Sequence, residues 1–500
     1  MHQDSSVRHS LKIETSILQG EAAITVLEEA AFKSQWKKLV MHSGLGSVFQ
    51  APNFVLPWYK ENIRDFFPVV VTAYAGYRLV GLLTLARKIH HKQGTLEKRL
   101  VGAGNYYALY QSWLVEKPFS QEFWNKGIKR LLHEIPGCVI NLKSIHHQGI
   151  IQDLTQLSDF RKHTVVEKFL NPVLDFREED YDRIFAKRHF KSKINRLNRA
   201  GNVVFEKITS QQRLAEVFPT VAKFYALRQG AAFNKIPFEN NDQALSMFAA
   251  WLSDGVLHMT CLWLDGSLMG SIIMVNDFGK TGHLAGLIAY SPSHAKFSPG
   301  LVQLYQHAML LKEENFQNMK LSPGYDAYKD RFSNKNEEIY ELMISNSKFQ
   351  LIKRRLRIRL RNILLSRGIR PMELEVEWSK WRSKMRNLPR KWLRKINPRS
   401  ITVVELLQRM EYFKNSSNVN EVYFGRNELD QLLLVDDQTF ELARWEFLDD
   451  ALKRLEENQH FFAFKQDNRL LGCVWYTGEL VSSPKDLVEK QKHVSKVFLT

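Results

Sequence analysis

The chain has 500 residues, 71 Lys or Arg against 53 Asp or Glu, a formal net charge of +18, and 44% hydrophobic and 25% charged residues. That length implies two to four domains with ample buried core, and the composition excludes a disordered or fibrous chain. The three cysteines, Cys138, Cys261 and Cys473, lie in or beside apolar runs without metal-ligand or paired spacing, which argues against a disulfide framework and points to a reducing compartment.

The opening MHQDSSVRHSLKIETS has no apolar signal core, and no run of about eighteen apolar residues occurs, so a cytoplasmic location without a spanning helix is expected. Residues 1–34 read as a tail. A hairpin pattern then occurs three times: VVVTAY-AGYR-LVGLLTLARK from Val69, LHMTCLWL-DGS-LMGSIIMVND from Leu257 and FFAFK-QDNR-LLGCVWYT from Phe461. Each has an apolar strand, a turn, and Leu-x-Gly opening a second strand, with glycines at Gly81, Gly270 and Gly472. The flanks of the first two copies repeat as well. After the first come a strand-like YYALYQSWLV, a helix FSQEFWNKGIKRLLHEI and a strand CVINLKSI. After the second come HLAGLIAY, a helix from Pro299 and the short MKLSPG. Helix, hairpin, strand, helix, strand in both predicts two similar α/β units, residues 35–165 and 166–345. Residues 346–400 read as a basic helical connector and 401–500 as a partial third unit. Within 351–400 stand 17 Lys or Arg and 3 Glu, so +14 of the +18 is local. Such a segment, with Trp378, Trp381 and Trp392 among the cations, suits an anionic partner: a lipid surface, an acidic polymer or nucleic acid. A solvated linker helix is the plain alternative.

Residues 286–332 carry the chemistry. Leu301, Leu304, Ala308 and Leu311 fall at helical spacing, Pro299 suits the first turn, and Ser298 is a candidate N-cap. Gly300 lets a ligand approach the backbone, so the amides of Gly300, Leu301 and Val302 form a candidate phosphate or pyrophosphate site. An ordinary helix start is the plain alternative. Upstream, Tyr225 and Arg228 lie three apart on one helix face and are candidate acceptor-pocket residues. Lys187, Arg188, His189 and Lys191 form a basic cluster, and His294 is a loop histidine with the reach of a base. No Gly-x-Ser-x-Gly elbow, Walker loop or paired-cysteine zinc pattern occurs, and GAGNYYALY lacks the third glycine of a dinucleotide fingerprint.

In this order the residues resemble the GNAT acyltransferase fold, a mixed sheet that splays to admit acyl-CoA. Two such units in tandem, with the cradle in the second, resemble the FemAB-like group, and within it the BioF-like or CelD-like acetyltransferases of cellulose and other exopolysaccharide synthesis. WKKLVMHSGLGSVFQAPNFVLPWYKE, KRHFKSKINRLNRAGNVVFEKI, FYALRQGAAFNKIPF, FSPGLVQLYQHAM and SPGYDAYKDRF carry the likeness, the last resembling a Gly-x-acid-x-Tyr-Lys signature. The resemblance implies acetyl-CoA or another acyl-CoA as donor, no metal, and a saccharide or amine acceptor, at the inner face of the plasma membrane. It implies Lys329 as a cation near the thioester, Tyr328 as a hydrogen-bond donor to the leaving thiolate, and Asp326 as the group that orients the acceptor. Tyr325 is implied as an acceptor contact, with a core role as its alternative; for Asp326 the alternative is a helix N-cap, and for Lys329 a solvated lysine. The first unit departs from the pattern at Lys117-Pro118-Phe119-Ser120, where no glycine adjoins the proline, and so reads as scaffold and substrate wall. The third has no cradle helix. An aminoacyl-tRNA-dependent peptide-bridge ligase, with tRNA on the connector, and a non-catalytic assembly factor are the competing readings.

Overall fold

All three Leu-x-Gly hairpins form, and all bulge at the same step. In a computed structural model, residues 12–44, 46–91, 93–145, 155–185, 188–238, 241–324, 327–369, 374, 376–378, 381, 385, 423–436, 442–466, 468–489 and 493–499 are described. Strands β1 Glu14–Gln19, β2 Phe66–Ala75, β3 Arg78–His90, β4 Thr95–Gly102, β5 Leu114–Val115 and β6 Val139–Ile145 belong to the first unit. The second holds β7 Thr164–Asp175, β8 Val203–Ile208, β9 Leu257–Leu264, β10 Ser267–Asp277, β11 Thr281–Tyr290, β12 Asn318–Lys320 and β13 Lys335–Ser345. A separate sheet holds β14 Tyr423–Arg426, β15 His460–Gln466, β16 Arg469–Tyr476 and β17 Val494–Leu499. Across β2–β3, Leu79 faces Tyr74 and Gly81 faces Ala73, leaving Val80 as the extra residue. Met269 is the extra residue in β10, and Leu471 in β16. A bulge adds twist and bends a strand, so the shared tripeptide encodes a shared bend. At Gly81 a Cβ would sit 2.7 Å from the Phe123 ring, which explains that glycine by packing.

The first two units merge into one sheet ordered β1-β2-β3-β4-β6-β13-β7-β12-β11-β10-β9-β8, with β5 on β3. Read from either end the two halves correspond, and the seam is the antiparallel β13–β7 pair, in register from Lys335↔Val173 to Ile344↔Thr164. The α/β mixed sheet in two similar units is therefore as expected. Two details differ. Residues 14–34, read as tail, supply β1, which pairs with β2, and helix α1 Gly20–Glu28, whose Ala23 and Leu27 are fully buried. The run YYALYQSWLV is a loop apart from β5, because its tyrosines reach the second unit instead of a ladder: Tyr106 hydroxyl lies 2.5 Å from that of Tyr225, and Tyr107 packs edge-on against Phe248 and Trp251.

On one face of the sheet, helices α2 Ala30–His42 and α3 Pro52–Asn62 meet helices of the second unit across a shared core. There the Phe54 and Trp251 rings stack at 4.5 Å and Trp251 Nε1 donates to the Phe54 carbonyl at 3.1 Å. The second-unit helices include α4 Arg188–Asn198, α5 Gln211–Phe233, α6 Asn241–Ser253, α7 Pro299–Glu313 and α8 Ala327–Phe332. Helix α7 covers the opposite face, burying Leu304, Ala308 and Leu311 on Ile272, Leu284 and Met319. The connector begins as α9 Lys348–Ser366 and ends, where described, in isolated helical positions up to 385. The separate sheet and its helix α10 Arg444–Glu456 share a core with Leu227 and Ala231 of α5. A Cβ on Gly230 would meet Leu448 at 2.4 Å, so that glycine in the last turn of α5 admits α10. Among the described residues no helix is long and apolar enough to cross a membrane.

Candidate functional site

Strand β11 pairs with β10 up to Tyr290, but with β12 through three residues, Thr281–His283 against Asn318–Lys320. Past that point the two parallel neighbours part. The mirror pair β4–β6 has the same three-residue ladder, Arg99–Val101 against Val139–Asn141. In the first unit the chain itself crosses beside the parting: Gln111 N–H donates to the Lys143 carbonyl at 2.8 Å, and its side-chain amide donates to the Asn105 carbonyl at 2.9 Å. In the second, carbonyls along the freed edge of β11 are met by side chains, Leu284 by Ser322 Oγ and Ile288 by Arg228 Nη1 at 2.8 Å. Edge carbonyls inside a fold need such partners, and these two come from elements that line the split.

At the mouth, α7 starts differently from expectation. Ser298 is at the N-cap position in the left-handed region (φ 55°), and its side chain caps nothing. Its Oγ instead accepts from Lys193 Nζ at 2.6 Å. Leu301 and Val302 N–H both donate to the Ser298 carbonyl, at 3.0 and 3.2 Å, because the helical ladder claims its fourth amide and a tight first turn claims the third. Of the three amides expected to hold phosphate, Gly300 alone has no protein partner among the described residues. Val302 is core, packed with Leu197, Leu262 and Met269, and Pro299 is buried. Gly300 is explained by Tyr290, whose ring would lie 3.0 Å from an added Cβ. Arg228 stacks over that same ring at 4.2 Å. Arg196 and Lys296 approach the Phe297 ring at 5.8 and 5.1 Å, so with Lys193 three cations surround the mouth.

The remaining candidates scatter. Tyr225 is buried, bonded to Tyr106, its hydroxyl pushed well up by burial and by that neighbour. Lys329 is 5% exposed on α8, and its Nζ donates to the Pro323 carbonyl at 3.3 Å. Tyr328 lies in α8; Tyr325, Asp326 and Lys187 lie outside the described residues, and Arg188 and His189 open α4. Lys191 is exposed. His294 is half-buried with Nδ1 2.9 Å from Ser291 Oγ, and burial and Lys296 hold its pKa down.

A second polar group sits on the opposite face of the split and went unread in the sequence. Lys320, the last paired residue of β12, bonds Glu337 at 2.9 Å. Glu337 stands opposite Asn171 in the seam, and Asn171 Nδ2 donates to Tyr110 Oη at 2.9 Å. Lys320 Nζ lies 4.9 Å from the Tyr110 ring, which also packs edge-on on His283. Tyr110 is buried, and burial, with Glu337 next, holds its hydroxyl far above the ordinary value. Four strands and a first-unit loop thus meet where the sheet parts, and no local motif marks that convergence. Lys193, by contrast, was readable: it lies three residues after Phe190 and four before Leu197, both buried, and so faces inward.

Residues 185–330 match the family described as acetyltransferase (GNAT) domain. That span contains the split, α7 and the start of α8. Acyl transfer is the activity this match supports. No curated protein matches the chain. Among solved structures, FemX is 10% identical with a TM-score of 0.44, covering 64% of this chain and 98% of its own. A tandem GNAT protein from the clavulanic acid biosynthesis pathway is 11% identical, TM-score 0.38, covering 66% and 98%. L-PGS from Bacillus licheniformis is 12% identical, TM-score 0.37, covering 56% and 86%.

Proposed function

We propose that the second unit transfers an acyl group, acetyl in the simplest case, from CoA to an amine or hydroxyl of a saccharide or amine acceptor in envelope or exopolysaccharide synthesis. The observation that carries this reading is the opening of β11 from β12 with α7 starting at its mouth, inside the stretch that matches a GNAT domain. The first unit serves as scaffold and acceptor wall, consistent with Gln111 lying across its own parting. Bound CoA supplies the thioester and a thiolate leaving group. The residues fit such a group: an open amide at Gly300 and the cations Lys193, Arg196 and Lys296 suit its phosphates. Arg228 and Ser322 hold the strand edge open, and Glu337 with Tyr110 offers the acceptor side a carboxylate and a hydroxyl.

Calorimetric titration of acetyl-CoA tests the reading. Lys193→Met should weaken binding about tenfold, the value of one charge-assisted hydrogen bond. Gly300→Val should weaken it further, because its Cβ pushes Tyr290 from a 3.0 Å contact and its methyls cover the amide. A wild-type chain that ignores acetyl-CoA but binds aminoacyl-tRNA sinks the CoA reading. Equal affinity of Lys193→Met removes that lysine from the mouth while leaving the enzyme reading standing.

A further inference from the structure

Helix α9 turns an apolar stripe to solvent. Phe349, Ile352, Leu356, Leu360 and Ile363 are 70, 53, 52, 62 and 48% exposed. Steps of three, four, four and three residues keep them within a sector of about 80°. The helix is not free to roll that stripe inward, because its other face is pinned. Leu351 is 3% exposed and packs with Val165 and Met343. Arg354 bonds Glu167 and Glu341 at 2.6 and 3.0 Å, and Arg361 pairs with Glu167 and lies 4.1 Å over the Phe169 ring. Pairs Met343↔Val165, Glu341↔Glu167 and Glu337↔Asn171 fall at two-residue steps of one register, so they share a sheet face. The helix thus lies over the seam face that carries Glu337, whose Cα is about 20 Å along β13 from Met343.

The stripe's borders select its occupant. Helix α9 holds seven Lys or Arg and no acid. Lys348, Lys353 and Arg359 are exposed and have no acidic partner among the described residues. Two copies joined through the stripe would bring these cations together without compensating acids. A nucleic acid would answer the cations but leave the stripe wet. An anionic bilayer answers both, taking apolar side chains at the acyl boundary and cations at the phosphates.

We propose that α9 docks the chain on an anionic lipid surface, lying in the plane of the interface with Phe349, Ile352, Leu356, Leu360 and Ile363 inserted. This docking stands or falls separately from acyl transfer.

The full-length chain is floated with vesicles of phosphatidylcholine alone or mixed with phosphatidylglycerol, at low and high salt. Wild type should float with the mixed vesicles, less at high salt, and stay down with the neutral ones. Leu356→Ser with Leu360→Ser should lower apparent affinity about tenfold or more at either salt, since two large apolar side chains leave the interface. Lys353→Gln with Arg359→Gln should weaken binding chiefly at low salt. Unchanged melting temperatures show that these exposed sites leave the fold intact. The proposal is overturned if wild type ignores mixed vesicles, floats equally with neutral ones, or binds as well after loss of both leucines. A wild-type dimer dissolved by the leucine changes, without vesicle binding, overturns it too.

Discussion

Lys329→Met is expected to lower the rate of acyl transfer about a hundredfold or more while leaving acyl-CoA affinity nearly unchanged. Lys329 stands at 5% exposure on α8, and its ammonium reaches the Pro323 carbonyl in the turn that follows β12. A cation kept this far from water must be compensated, and a fixed charge in a dry site acts most strongly on charge that develops during attack. In the proposed role beside the thioester this interaction is made in the transition state alone, so its loss falls on kcat and spares binding. Met keeps the length and apolar stem. The hydrogen bond to Pro323 is also lost, so stability should fall by about 1–2 kcal/mol. Turnover, acetyl-CoA affinity and melting temperature measured on one preparation separate two roles. A large rate loss beyond that small destabilisation supports the chemical role. Full turnover with a lowered melting temperature would make Lys329 a strut of the loop.

Local pattern gave away the parts of this fold that are local. The three hairpins were legible because strand, turn and Leu-x-Gly are contiguous, and the shared glycine proved to mark a shared bulge at Val80, Met269 and Leu471. The seam was not legible, since β13 and β7 pair across about 170 residues and both read as ordinary amphipathic strands. The loop from Tyr106 to Tyr110 looked like a strand because tyrosines favour strands, yet its rings are used to contact Tyr225, Trp251 and His283 in the other unit. At the cradle, the existence and start of α7 followed from Pro299 and the apolar spacing. The assignment of three phosphate-holding amides overlooked the hydrogen bonds of its first turn, in which Ser298 takes two of them. Basic residues were noticed on α4 by density, whereas the one that reaches the mouth, Lys193, is set by helical phase between Phe190 and Leu197.

Asp277→Ala should destabilise the chain by about 3 kcal/mol or more, a melting shift of roughly 4 °C or more for a body of this size. Asp277 ends β10, and its carboxylate accepts from Val48 N–H of the first unit at 2.7 Å, from Phe278 N–H at 2.8 Å and from His283 Nε2 at 2.9 Å. Alanine would strand three donors, two of them deep between the units. Acid should attack the same clamp. Burial pushes the Asp277 carboxyl up, but His283 and the two amides outweigh it and hold the pKa below the ordinary value. Burial holds His283 low in turn, with Asp277 only partly opposing it. His258 on β9 and His307 on the buried side of α7 are likewise held low, burial first in each case; Thr260 Oγ1 lies 2.9 Å from His307 Nδ1, and Glu314 lies 2.9 Å from His258 Nε2. Below about pH 6.5 the unfolded chain takes protons that these folded histidines refuse, so stability falls with pH by up to about 1.4 kcal/mol per unit for each histidine. The share owed to Asp277 is present above the ordinary carboxylate range and is lost only further down, as pH falls through its lowered folded value. Thermal melts of wild type from pH 7.5 to 5 should therefore slope downward, and a flat profile would mean that the histidines protonate as readily folded as unfolded. Because His283 is the last β11 residue paired with β12, at Lys320, the clamp also fixes where the sheet begins to part. Asp277→Ala should then weaken acetyl-CoA binding at temperatures where the chain is still folded, and unchanged affinity there would confine the clamp to stability.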